Sequence, residues 1–120
     1  AGTVVCAAGA WAAEVVAMCG DGVTPLPVRP RKRCIFSFHC ADSNAPSALD
    51  TPLTVLPETG VYFRPEGAPG HFLCGVSPPA DRDRDATVED LETADHELFE
   101  DIIWPALYDR VPAFGNIKVT

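Results

Sequence analysis

The sequence predicts an α+β fold: an antiparallel sheet covered by an acidic amphipathic helix, with a strand–turn–helix unit attached at its amino-terminal side. Three observations predict it. Thr3 to Cys6 is an apolar run that passes through Ala7-Ala8-Gly9 into helical periodicity. Cys34 to His39 alternates at period two and is followed by three more short runs of β-formers separated by turn residues. Leu91, Leu98, Phe99, Ile102 and Ile103 mark an apolar stripe through a stretch otherwise crowded with carboxylates.

In the opening unit, Trp11, Val15, Met18 and Cys19 recur at helical spacing, and Gly20 supplies a natural stop. The turn residues have almost no side chain, so another group can approach the backbone closely. Read from the residues alone, this turn either packs a helix on a strand or receives a ligand. Pro25, Pro27 and Pro30 then enforce an extended lead-in.

Along Cys34–His39, Cys34, Phe36 and Phe38 face one side, while Ile35, Ser37 and His39 face the other. Ala41 to Asp50 reads as a loop, and Thr51 to Leu56 as a second strand. Glu58-Thr59-Gly60 turns that strand into Val61–Arg64. Pro65 to Gly70 makes the next loop, which returns through His71–Val76. Three consecutive strands joined by short turns form an antiparallel meander, with Cys34–His39 placed beside it. Thr87-x-x-Asp90 resembles a helix-capping arrangement and is the expected helix start. Pro105 has no amide hydrogen for the Asp101 carbonyl, so the helix kinks or restarts there, and Ala106–Arg110 adds a second piece. Ile117–Val119 reads as the beginning of a further strand.

With 120 residues, 47% of them hydrophobic, the chain can bury one modest core. No apolar run approaches the ~18 residues that span a bilayer. The formal charge of −8 is concentrated between Asp81 and Asp101, which reads as a solvated loop and the outer face of a helix. Nucleic-acid binding is not expected of such a surface, because phosphate neutralisation needs clustered cations. Arg29, Arg31, Lys32 and Arg33 form the one basic cluster, able to hold a phosphate or an acidic partner or simply to lead into the sheet. Five cysteines with no C-x-x-C pair argue against both a disulfide scaffold and a zinc ribbon, and for a reducing compartment. No metal site is expected: His39 and Cys40 are adjacent on a strand and point to opposite faces, as one ion would not allow.

Five segments, in order, carry a likeness: Val4-Val5-Cys6-Ala7-Ala8-Gly9-Ala10-Trp11, the basic lead-in Leu26–Arg33, Gly60–Glu66 followed by Leu73-Cys74-Gly75, His96–Pro105, and Arg110–Phe114. Together they resemble the FAD-dependent amine and amino-acid oxidoreductases, the family of D-amino-acid oxidase, glycine oxidase and sarcosine oxidase. Within it the chain is similar to a mitochondrial member associated with assembly of respiratory complex I. The family's G-x-G-x-x-G dinucleotide fingerprint and its later Gly-Trp-Ala-Gly-type strand do not occur here. The resemblance therefore implies an internal segment: residues 1–22 a remnant of the FAD-binding domain, residues 23–120 a substrate domain truncated at its carboxy-terminal side. Thr3–Cys6 and Ile117–Val119 would then present unpaired edges that favour dimerisation or aggregation.

The resemblance implies FAD in the full-length protein, not bound by this segment alone. It implies hydride removal from a carbon beside the nitrogen of a secondary amine or amino acid, with the flavin as acceptor. Ala7, Ala8, Gly9 and Trp11 would lie beside FAD. Tyr62 would turn its hydroxyl toward the substrate carboxylate, and Arg64, on the same strand face, could pair with it bidentately. Gly75 would permit close approach of a ligand or mark a bulge. No catalytic residue is assigned: His39 and His71 are proton acceptors by type, with structural roles the alternative. The implied partners are a small amine or amino-acid substrate and respiratory-complex assembly intermediates, so enzyme and assembly scaffold are the two readings of the parent. The segment by itself is expected to be an inactive module.

Overall fold

The computed structural model describes residues 2–120. Strands β1 (Ile35–Cys40), β2 (Thr54–Val55), β3 (Tyr62–Pro65), β4 (His71–Gly75) and β5 (Ile117–Val119) form one antiparallel sheet in the order β2-β3-β4-β1-β5. The meander is β2-β3-β4, with β1 paired against β4. On β1, Phe36, Phe38 and Cys40 are buried while Ile35, Ser37 and His39 are not, because only one face of the sheet is covered.

The cover is helical. Asp95 caps α2 (His96–Leu98), accepting the Leu98 N–H at 3.0 Å. The chain continues through a wide turn, Phe99–Ile103, into α3 (Trp104–Arg110). In that turn the Trp104 N–H bonds to the Phe99 carbonyl, one residue further back than in an α-helix. The cause is Pro105, which cannot donate to Asp101; the extra residue lets the helix run on without a break. Leu98, Phe99, Ile103 and Leu107 pack onto Phe36, Phe38, Phe63 and Phe72 of the sheet. Phe114 closes the centre, its ring 5.1 Å from Phe38, 5.3 Å from Phe63 and 5.1 Å from Phe72.

The helix does not start at Thr87. The Thr87 N–H and hydroxyl donate to the Asp90 carboxylate at 2.8 and 3.1 Å, and this pairing closes a local turn. Glu89–Glu92 is then a single tight turn, after which Thr93 is extended. Leu91, expected in the apolar stripe, is 56% exposed. The strand expected over Thr51–Leu56 shortens to two residues, since Pro52 has no donor and Leu56 already belongs to the turn, its N–H bonding to the Val61 carbonyl.

Thr3–Cys6 is not a strand. Val4 is 73% and Val5 87% exposed, because extended backbone becomes a strand only through hydrogen bonds to a neighbour, and no described segment runs beside it. After a tight turn at Gly9–Trp11 comes α1 (Ala12–Ala17), with no buried residue in either. The amphipathic stripe of Trp11, Val15 and Met18 is real as a pattern but has nothing to pack on here. The radius of gyration, 18.8 Å against the ~14 Å of a compact 120-residue domain, reflects this projecting arm. Ile117–Val119, expected to be unpaired, is hydrogen-bonded to β1 along one side, leaving only its outer side free.

The basic cluster is neutralised within the chain. Arg33 forks onto Asp83 at 2.8 and 3.0 Å, and Arg29 and Arg31 reach Asp85 at 3.1 and 3.2 Å. These pairs are exposed and screened by solvent, yet they occupy the guanidinium groups that a phosphate would need. The acidic stretch is thus less solvated than expected, since Arg82 also pairs with Asp95 and Arg84 with Asp90.

Candidate functional site

Strand register lays out the face of the sheet opposite the helices in three cross-strand rows. The first runs Val55, Tyr62, Gly75, Ile35. The second runs Arg64, Leu73, Ser37, and the third His71, His39, Lys118. The first row is the least covered, with Ile35 63% and Val55 56% exposed.

Tyr62 is the polar group of that row. Its ring crosses to β4 and lies over Gly75, so close that a Cβ on Gly75 would sit 2.5 Å from the hydroxyl oxygen and 2.8 Å from Cζ. The expected room for a ligand at Gly75 is therefore taken by this phenol, and the glycine marks no bulge in the β1–β4–β3 register. Among the described residues the Tyr62 hydroxyl has no hydrogen-bond partner, and it is not sealed from solvent. A half-buried phenol with a free donor can give one hydrogen bond to an acceptor that reaches this face.

Arg64 shares the face, as period two requires, but its guanidinium is engaged by Glu66 and by the Pro65 carbonyl at 3.2 Å. His39 and His71 meet at a tilt with ring centroids 4.6 Å apart, four residues along the strands from the Tyr62 row, about 14 Å away. The sheet does not bring them to Tyr62. Cys40 and Cys74 lie on the opposite, buried face, and burial pushes the Cys74 thiol up to about 12, which keeps it neutral and unreactive. Among the described residues, no group of three or more His, Cys, Asp or Glu side chains could hold a metal ion.

Ala7, Ala8, Gly9 and Trp11 form the turn on the projecting arm, outside the sheet. Gly9 has φ +54° with no atom within 4 Å of where its Cβ would stand, so the backbone there is open to a flat group. Residues 2–19 contain no lysine or arginine, so any anion met by this segment would have to be held by backbone N–H groups. A feature that sequence reasoning missed is a polar cavity of ≈ 270 Å³ between the basic lead-in and the acidic stretch, lined by Lys32, Arg82, Asp90 and Asp95. The Lys32 ammonium there donates to the Asp90 and Thr93 carbonyls, and Arg84 pairs with Asp90, so its charges are mutually satisfied. Ile35, Val55 and Leu73 were also missed as site residues, although their outward phase on β1, β2 and β4 was there to be read.

No helix among the described residues is long and apolar enough to cross a membrane. The chain is 40% identical over 97% of its length to FAD-dependent oxidoreductase domain-containing protein 1 of Xenopus laevis, and 38% identical over 97% to that of Mus musculus. The homolog of Drosophila melanogaster is 29% identical over 96% of the chain. The chain spans about a quarter of these curated relatives, 23%, 24% and 22% of their lengths. No solved structure matches. The FAD dependent oxidoreductase family, DAO, matches residues 1–120. By that match and by relatives alike over nearly all of its length, the chain belongs to the FAD dependent oxidoreductases.

Proposed function

We propose that the full-length protein takes a hydride from a secondary amine or amino acid, and that this segment contributes one wall of the substrate pocket. The observation that carries the reading is the open apolar row of the sheet with one free phenol, Tyr62, held in the middle of it. When bound, the flavin supplies the hydride acceptor. The residues of this chain bind and orient: Tyr62 donates to the substrate carboxylate, while Val55, Ile35 and Leu73 exclude water from the apolar side. Arg64 would reach the carboxylate only by releasing Glu66. Ala7, Ala8, Gly9 and Trp11 offer backbone approach to FAD on a separate part of the molecule, in line with residues 1–22 belonging to a second domain.

The test is anaerobic addition of N-methylglycine and N-methylalanine to the full-length holoprotein while the oxidised-flavin absorbance is followed. Bleaching within seconds is the expected result. An unchanged spectrum across a panel of secondary amines and amino acids would refute the enzyme reading. It would leave the alternative, a mitochondrial flavoprotein scaffold for assembly of respiratory complex I, to be tested by co-purification of assembly intermediates.

A further inference from the structure

We propose that His39 and His71, an opposed pair on the outer face of the sheet, hold one divalent late transition-metal ion of the Ni²⁺ or Cu²⁺ type through one imidazole nitrogen each. The site is independent of the oxidase reading and uses none of its residues.

The pairing follows from the register. His39 of β1 stands directly opposite His71 of β4, and the adjacent ladder bond runs from the Cys40 N–H to the Gly70 carbonyl at 2.8 Å. Antiparallel pairs alternate, so with Cys40 and Gly70 hydrogen-bonded, His39 and His71 occupy a non-hydrogen-bonded site, where Cα atoms come to about 4.5 Å and side chains approach closest. Both rings rise from one face, because both residues are out of phase with the buried Phe38, Cys40 and Phe72. Gly70 adds a second constraint. A Cβ there would sit 3.2 Å from Nε2 and 3.4 Å from Cδ2 of His39, so the missing side chain lets that edge of the ring lean over β4.

The separation of the rings matches a chelate. An imidazole nitrogen binds such an ion at about 2.0–2.1 Å, which puts the ring centroid about 3.2 Å from the metal. Two such ligands at a right angle have centroids about 4.5 Å apart, and at the tetrahedral angle about 5.2 Å. The centroids of His39 and His71 are 4.6 Å apart. A right-angled pair of nitrogens suits the octahedral and tetragonal geometries of Ni²⁺ and Cu²⁺ better than tetrahedral Zn²⁺, and imidazole disfavours Mg²⁺ and Ca²⁺.

The nitrogens are not already spent. Among the described residues neither imidazole is tied up by a hydrogen bond or a carboxylate. The charged group facing the pair is Lys118, opposite His39 on β5; it is exposed, so its ammonium can turn to water, at some cost to the affinity of a cation beside it. A hollow of ≈ 520 Å³ lined by His39, Ala41, Asp42 and Gly70 opens beside the pair and admits water. Two protein ligands leave the other coordination positions to water, which makes the ion exchangeable.

The test uses the full-length holoprotein freed of metal with EDTA, with Ni²⁺ as the calorimetric probe and Cu²⁺ as the spin probe. The wild type is expected to bind one Ni²⁺ ion that His39→Gln and His71→Gln each weaken at least tenfold, since one imidazole alone does not chelate. Equal binding in wild type and both variants would overturn the proposal, as would a loss in only one of them. The copper spectrum of the wild type, after subtraction of the His39→Gln spectrum, is expected to show splitting from two nitrogens; a difference spectrum without nitrogen splitting would overturn it. Should a histidine variant not fold, Lys118→Glu at an exposed position serves instead. A carboxylate beside His39 in place of an ammonium is expected to tighten Ni²⁺ at least tenfold, and no gain would overturn the assignment.

Discussion

Replacing Tyr62 with phenylalanine separates binding from folding. Among the described residues the hydroxyl has no partner, so its loss orphans no donor or acceptor there, and the ring still fills the space above Gly75. The expected change in stability is thus within about 0.5 kcal/mol. A hydrogen bond to a carboxylate contributes about 1.5–3 kcal/mol. At about 1.4 kcal/mol per tenfold, that is a loss of roughly 10- to 150-fold in affinity for a carboxylate ligand. The assay is a pair of measurements on full-length holoprotein: dissociation constants for pentanoate from the flavin band shift, and melting temperature by calorimetry. The account requires the first to change and the second to stay within about 2 °C. An affinity change below about threefold would show that the phenol does not face the ligand. A large drop in melting temperature would show that its hydroxyl is structural.

Three further outcomes follow. Phe114→Ala removes a fully buried ring that meets three other phenylalanines and should lower the unfolding free energy by about 3–5 kcal/mol in urea titrations; a loss under about 1 kcal/mol would contradict the packing described. The Asp83 carboxyl is held below its usual range by the Arg33 guanidinium, and Asp90 is lowered to about 2 by the Thr87 N–H and then by Arg84. Both folded-state values are depressed, so their stabilisation is present above the ordinary carboxylate range and is lost as pH falls toward about 2; urea midpoints should drop across that window, and Asp90→Asn should flatten the drop. In native protein at pH 8, iodoacetamide should modify the exposed Cys6 and Cys19 first, whereas Cys74, buried and raised to about 12, should react only on unfolding; early loss of the Cys74 thiol would refute its placement.

What could be read in advance depended on how local its cause was. The faces of β1 were legible because each buried phenylalanine alternates with a half-covered neighbour, and period two needs no knowledge of the partner strand. The same rule placed Tyr62 and Arg64 on one face. It could not show Glu66 capturing Arg64, nor Gly75 housing the phenol, since both depend on where long side chains turn after the strands have paired. Thr87 misled because its pairing with Asp90, a good capping signal, was satisfied by an isolated turn. Thr3–Cys6 has every mark of a strand, and only the absence of a neighbour among the described residues keeps it from being one. The contact of β5 with β1 joins segments far apart in sequence and carries only three residues, too few to announce a partner.

The most direct test of the central claim is a structure of the full-length protein with FAD bound. The account predicts that the flavin ring system faces the row Val55, Tyr62, Gly75, Ile35 across a ligand-sized gap, with the Tyr62 hydroxyl pointing into it. A structure in which another protein segment packs against that row, with the flavin elsewhere, would contradict it.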